Sequence, residues 1–457
     1  LHWGRSALLK WPRVGMEFAP VATSLLRASS WRCDILLYAA SYMAQLASWL
    51  KAFIGLRNLE DMLKELESFL EELGRRRPSP AVLAWLSWAW TEAALVWCTL
   101  DELDRAGKAF TKARETIRQL DGEAEDLARV LAAYPLVDYL RMRNRPKEAI
   151  EVLSMVRKAI LRLKETLKRP VLPSILEEAL QPLGGDVRET LKLQLDRGDA
   201  IITFIAGDLR LNAGDIEGAA HAFKNAWAKF HKLKDAQNAL AAWSFYIRAY
   251  VIKEGLSACP SYLEEDRIAC TWHYWLKLLM AKRLWERELL APEVYYTAYI
   301  EALIAWLTGL RQGGHPPLLD KAPLSGVPID PRVWAVFAGT YCLLLRLLHG
   351  LEPDGETLQE ALRATRAWAE GLERKLRQGL PRSSTQELSA ILLAMLEGRL
   401  GEAISRAREA SKGYSPLLNR LFSELAEAIE AYSANKSDEG ARRRLAEALI
   451  KLFYYHV

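Results

Sequence analysis

Cysteine is scarce in this chain, with five in 457 residues: Cys33, Cys98, Cys259, Cys270 and Cys342. That count excludes a disulfide scaffold and points to an intracellular, cytoplasmic setting. Asparagine and glutamine are scarce too, at seven and nine residues. Together with abundant Arg, Glu and Leu, this resembles a thermophile's composition. Charge of one sign does not dominate. Lys and Arg total 62 against 57 Asp and Glu, a formal charge of +5. A chain so close to neutral has no general attraction for polyanions, although local basic patches stay open. Long uncharged runs are missing as well. The longest, Ile35 to Leu50, has 16 residues, holds Ser41, Gln45 and Ser48, and is bracketed by Asp34 and Lys51. A membrane span wants roughly 20 apolar residues. A buried helix is therefore expected there, and no membrane association. Leu1 to Gly15 carries Arg5, Lys10 and Arg13 without an apolar core of signal length. It reads as an extension ahead of Met16 or a cloning boundary.

What is present is the material of a helical protein. Hydrophobic residues make up 51% and charged residues 26%, which excludes bulk disorder. The length fits about two to four domains of roughly 150 residues, or an elongated repeat array. Apolar residues recur at three and four almost throughout. From Leu103 to Leu120 one stripe holds Leu103, Ala106, Phe110, Ala113, Ile117 and Leu120, while Asp104, Lys108, Lys112, Arg114 and Glu115 take the opposite face. That pattern predicts a helix packed on one side. The 16 Trp read as large anchors between packed helices rather than as an aromatic ligand box. No alternating strand pattern flanked by turn residues occurs.

Turn residues punctuate the chain at short intervals, leaving helices of about 15 to 24 residues joined by short connections, which favours antiparallel hairpins. One break differs. Gln312 to Asp330 contains Gly313, Gly314, Pro316, Pro317, Pro323, Gly326 and Pro328, and it cannot continue a helix. The sequence therefore predicts a helical region 1–311, a Pro/Gly-rich linker or loop 312–330, and a C-terminal helical hairpin region 331–457.

Internal similarity is the most informative feature. In Phe204 to Phe230 a first helix carries Gly207, the turn is Gly214-Asp215, and a second helix carries Ala219, Phe223 and Ala226. Small residues let two backbones approach, and the aromatic fills the groove beside them. This resembles the tetratricopeptide repeat. Weaker copies hold Trp90 and Ala94 with Ala106, Phe110 and Ala113; Leu136 with Ala149, Leu153 and Val156; Gly398 with Ala403, Ala407 and Ala410; and Ala441, Leu445 and Ala448 after Ser437 to Gly440. A divergent one has Met62, Leu66 and Phe69. The spacing departs from a strict array of ~34 residues: Ala106 to Ala149 is 43, Ala403 to Ala441 is 38, and Ala149 to Ala219 is 70. A generic helical bundle remains the other reading.

Constellations for chemistry are absent from the sequence. The seven histidines form no His-Glu-x-x-His pair. Cys259, Cys270 and His273 lack a C-x-x-C pair, so a zinc site is disfavoured. A Cys259–Cys270 disulfide or free buried thiols are the open alternatives. Neither a G-x-S-x-G elbow, nor a phosphate-binding Walker loop, nor a dinucleotide glycine motif occurs. The runs Arg75 to Arg77 and Arg442 to Arg444 read as solvated surface, with a nucleic-acid patch as the alternative.

The expected architecture is all-α: stacked antiparallel helix hairpins in a tetratricopeptide-like superhelical array. The resemblance implies a non-catalytic scaffold or adaptor that binds a protein or peptide along first-helix faces, without cofactor or metal. It points to Tyr134, Asp138 and Arg141, and to Phe204, Asp208, Leu211 and Asn212, as partner-binding residues. The alternatives are a nucleic-acid-associated regulator using the Arg runs and a helical-bundle enzyme around a pocket of carboxylates or His273.

Overall fold

The computed structural model describes residues 56–75, 78–99, 102–143, 145–181, 186–255, 277–283, 292–309, 331–377 and 383–456. Every element among them is helical, and no strand occurs among the described residues. The run Ile35 to Leu50, the segment 312–330, and Cys259, Cys270 and His273 all lie outside the described residues.

The chain forms two compact units. One takes in the described residues through Leu209 together with Asn225–Ala239; the other takes in Arg210–Lys224 and the described residues from Leu240 onward. The helices in chain order are α1 (Leu56–Arg75), α2 (Pro80–Thr99), α3 (Leu103–Arg118), α4 (Gly122–Leu131), α5 (Ala133–Met142), α6 (Pro146–Thr166), α7 (Ser174–Leu180), α8 (Val187–Asn212), α9 (Ile216–Lys232) and α10 (Ala236–Glu254). There follow a helical stretch at 277–283, α11 (Pro292–Gly309), α12 (Pro331–Leu344), a π-helical turn (Leu345–His349), α13 (Gly355–Arg377), α14 (Ser384–Leu396), α15 (Leu400–Ala410), α16 (Pro416–Ala434) and α17 (Glu439–His456).

In the first unit α2 is the central element. It packs on α1, α3, α4, α5 and α7. Its sequence, apolar almost all round, suits a helix with no solvent side. It is the one helix among the described residues long and apolar enough to cross a membrane, and most of it is buried in this unit's core. The α3 stripe behaves as the periodicity predicts: Ala106, Phe110, Ala113, Ile117 and Leu120 are buried, and Leu103 is half-buried. Helices α4 and α5 form a rod interrupted at Ala132. Pro135 has no N–H to donate to Leu131, yet the flanking bonds from Ala132 N to Ala128 O (3.0 Å) and from Leu136 N to Ala132 O (3.1 Å) survive. In the second unit α12 packs on α13, α14 and α17, and α14 to α17 pack in succession. Helix α14 is buried at every residue from Gln386 to Leu396.

One local geometry recurs at helix ends. The backbone N–H five residues past a carbonyl closes the turn at Glu102→Trp97 (2.9 Å), Arg145→Leu140 (2.9 Å), Asp215→Arg210 (2.9 Å), Asp235→Phe230 (3.0 Å) and Arg399→Ala394 (2.7 Å). This is the six-to-one bond of a Schellman cap. Four residues beyond each donor stands a buried alanine: Ala106, Ala149, Ala219, Ala239 and Ala403. Gly214 and Gly398 take the left-handed conformation that such a cap needs, at φ +90° and +78°. Lys234 takes it at φ 57° without being glycine.

Gly207 is buried on α8. Gly207→Leu should therefore lower stability by about 1–3 kcal/mol, because a buried glycine position would have to take in a full leucine side chain. A thermal midpoint equal to that of the native chain would show that this position has slack and that helices do not approach closely there.

Candidate functional site

A cluster of ionisable side chains gathers in the first unit where α2, α5 and α8 bring Glu92, Tyr134, Asp138, Arg141 and Asp208 together. On α5, Tyr134, Asp138 and Arg141 fall at spacings of four and three, which place them on one face. Arg141 bridges two helices. One terminal nitrogen lies 2.6 Å from Asp138 Oδ1, and the other donates to Asp208 Oδ2 at 2.8 Å. The Arg141 side chain is 44% exposed and that of Asp208 only 10%. A partly exposed arginine side chain is thus tied to a carboxylate rooted in the protein. Asp138 and Asp208 push its pKa up, so it stays charged. Tyr134 is 46% exposed beside it. The negative charge of Asp138, then burial, raises its phenol, which keeps the hydroxyl protonated.

Glu92 lies beneath this group and is buried. Burial pushes its carboxyl up to about 8, against the Trp88 indole N–H that donates to Oε1 at 2.9 Å, and Asp138 adds to the rise. At neutral pH Glu92 is therefore mostly protonated. The remaining charges are Asp138, Asp208 and Arg141, one negative charge in excess. The arrangement can offer a partner a fixed cation flanked by carboxylates and a phenol.

Of the residues expected at a binding face, the structure brings Tyr134, Asp138, Arg141 and Asp208 together. Phe204 is half-buried and packs against the first unit's apolar core. Leu211 and Asn212 belong to the second unit. Leu211 is buried, and the Asn212 side-chain oxygen accepts a hydrogen bond from the Tyr455 hydroxyl. Glu92 is the member that motif reading missed. Its signal is simple: it is the one charged residue between Pro80 and Thr99.

A second buried network lies in the second unit. Glu301 on α11 receives Arg248 Nε at 2.9 Å, and its other oxygen receives Lys277, whose ammonium also donates to Ser244 Oγ at 2.5 Å. The Tyr454 hydroxyl donates to the Glu301 carbonyl at 2.7 Å. All five residues are buried. Burial would push the Glu301 carboxyl up, but Arg248 and Lys277 outweigh it and hold it below its ordinary value. No group of three or more His, Cys, Asp or Glu arranged for a metal occurs among the described residues.

No family model matches the chain, and no curated protein matches it.

Proposed function

We propose that the chain is a non-catalytic scaffold that binds a protein or peptide, built from divergent tetratricopeptide-like hairpins. Its binding face carries Tyr134, Asp138, Arg141, Phe204 and Asp208. The observation that carries this reading is Arg141: it is anchored on two carboxylates from different helices while its side chain stays partly exposed, beside a partly exposed tyrosine. Such a guanidinium is rigid without being spent, the kind of anchor that interfaces favour. The repeated turn supports the scaffold. Five helix ends share one backbone bond and one alanine spacing. After that alanine come Phe110, Leu153, Phe223, Trp243 or Ala407, then Ala113, Val156, Ala226, Tyr246 or Ala410. Two of the five, Ala106-Phe110-Ala113 and Ala219-Phe223-Ala226, keep the small-large-small order of a stacked second helix, and the other three relax it. Stacked hairpins expose an extended surface suited to another chain.

The test is a pull-down from the native source with the intact chain and with the Asp208→Asn/Arg141→Ala variant, followed by mass spectrometry and titration of the partner found. Binding should weaken at least tenfold while the far-ultraviolet helical signal is unchanged. If binding survives that change and disappears when Arg442, Arg443 and Arg444 become Glu, or after nuclease treatment, the nucleic-acid reading replaces this one.

A further inference from the structure

The geometry points to a second site in the first unit: an arginine-lined cleft between α3 and the α5–α6 junction that binds the phosphate groups of a small phosphorylated molecule. The cleft has a volume of about 370 Å³ and is lined by Gly107, Phe110, Thr111, Arg114, Glu115, Arg118, Tyr139, Arg143 and Arg145. That is within the range of about 300–1,000 Å³ common for small-molecule sites. Four arginines line it from two directions. Arg114 and Arg118 come from α3, one turn apart, and Arg143 and Arg145 come from the end of α5 and the start of α6.

Its floor is rigid. Phe110 and Tyr139 are buried and stacked, with centroids 4.5 Å apart at 25°. The Arg114 and Arg145 guanidiniums stand 5.7 and 5.9 Å from the Phe110 ring centroid. These contacts hold two of the cations in place. Gly107 leaves the floor open, with the Tyr139 hydroxyl 3.9 Å from where a β-carbon would sit.

The charge does not cancel. Arg145 pairs with Glu148, and Arg114 lies 4.0 Å from the same carboxylate. Arg118 and Arg143 make no ion pair among the described residues. Four arginines against Glu115 and Glu148 leave two positive charges. A phosphate monoester carries about −1.5 to −2 at neutral pH, and the guanidinium fork matches its oxygens. The shape argues against longer polyanions. Both rings are covered rather than offered to bases, so no stacking platform for single-stranded nucleic acid exists here. The four arginines line one hollow rather than a long surface track, which an acidic peptide would need.

This site is independent of the protein-binding reading above. It is tested by calorimetric titration of the full chain with pyrophosphate and with inorganic phosphate at low ionic strength. Pyrophosphate should bind, and Arg118→Ala/Arg143→Ala should weaken it at least tenfold. Arg157→Ala, an exposed arginine elsewhere on α6, should leave it unchanged. Gly107→Met should also block binding while keeping the four charges and favouring the helix, so loss there is not loss of folding. Absence of pyrophosphate binding at millimolar concentration overturns the proposal, as does binding that both variants retain. Binding of a polyglutamate peptide or an oligonucleotide in place of pyrophosphate overturns it equally, in favour of a macromolecular acidic partner.

Discussion

Glu301→Gln should destabilise the second unit by about 3–5 kcal/mol, the usual cost of removing one partner from a buried ion pair. The reason is arithmetic of charge. Among the described residues Glu301 is the only carboxylate bonded to Arg248 and Lys277, and all three side chains are buried. Glutamine keeps the shape and an acceptor oxygen but leaves two cations without a counter-charge. The pH dependence identifies the mechanism. In the native chain burial pulls the Lys277 ammonium from 10.5 down to about 8, while Glu301 resists that fall and Arg248 adds to it. Between those values the unfolded chain binds the proton better than the folded one. Stability from this group therefore rises with pH across that window. Without Glu301 the folded value falls further, and the rise should begin at lower pH. Replacing Arg248, Lys277 and Glu301 together by Met, Met and Leu should recover most of the loss, since a whole buried triad can be exchanged for apolar residues at little cost. Thermal melts of the three proteins between pH 6 and 10 decide it. A single variant as stable as the native chain, with an unchanged pH slope, would mean that water reaches the network.

The legible and illegible parts of this fold separate on physical grounds. Helix α3 could be read residue by residue because one side of it meets solvent, which writes a stripe into the sequence. Helices α2 and α14 are buried all round, so their sequences declare burial but not which neighbour each side chain meets. The turn at Gly214 was legible because a left-handed residue there favours glycine. The same turn after α9 was hidden, because Lys234 takes that conformation and no glycine marks it. Ion networks were the least legible. Arg141 and Asp208 are 67 residues apart, and Arg248 and Glu301 are 53 apart. The repeat resemblance put the first two on comparable helix faces and so suggested them together. Nothing periodic links the second pair. A trace of both networks was nevertheless visible: Glu92 is the lone acid of α2, and Glu301 is the one acid of α11 beyond its first turn, where Glu293 stands; an acid inside so apolar a helix must either find a cation or keep its proton.

Glu92 takes the second course, and its replacement carries the opposite sign. Glu92→Gln should stabilise the chain at pH 7, by about 3 kcal/mol. Burial lifts this carboxyl from 4.5 to about 8. Between those values the folded chain holds a proton that the unfolded chain releases. Stability from this group is thus fully present at low pH and is lost as pH rises through the window. At pH 7 roughly two and a half units of the window have been crossed, at about 1.4 kcal/mol each. Glutamine keeps an oxygen to accept from the Trp88 indole and has no proton to lose. The two proteins should therefore melt together near pH 4.5 and diverge steadily above it, the variant being the more stable. Equal melting at pH 7 would show Glu92 already ionised and compensated in the folded chain. The binding face feels the same titration. Asp138 lies near enough to Glu92 to disfavour its ionisation. Above pH 8 an ionised Glu92 adds a negative charge beneath the Asp138–Arg141–Asp208 group. A partner that docks an anionic group on Arg141 should then bind more weakly at pH 9 than at pH 7, and Glu92→Gln should abolish that difference.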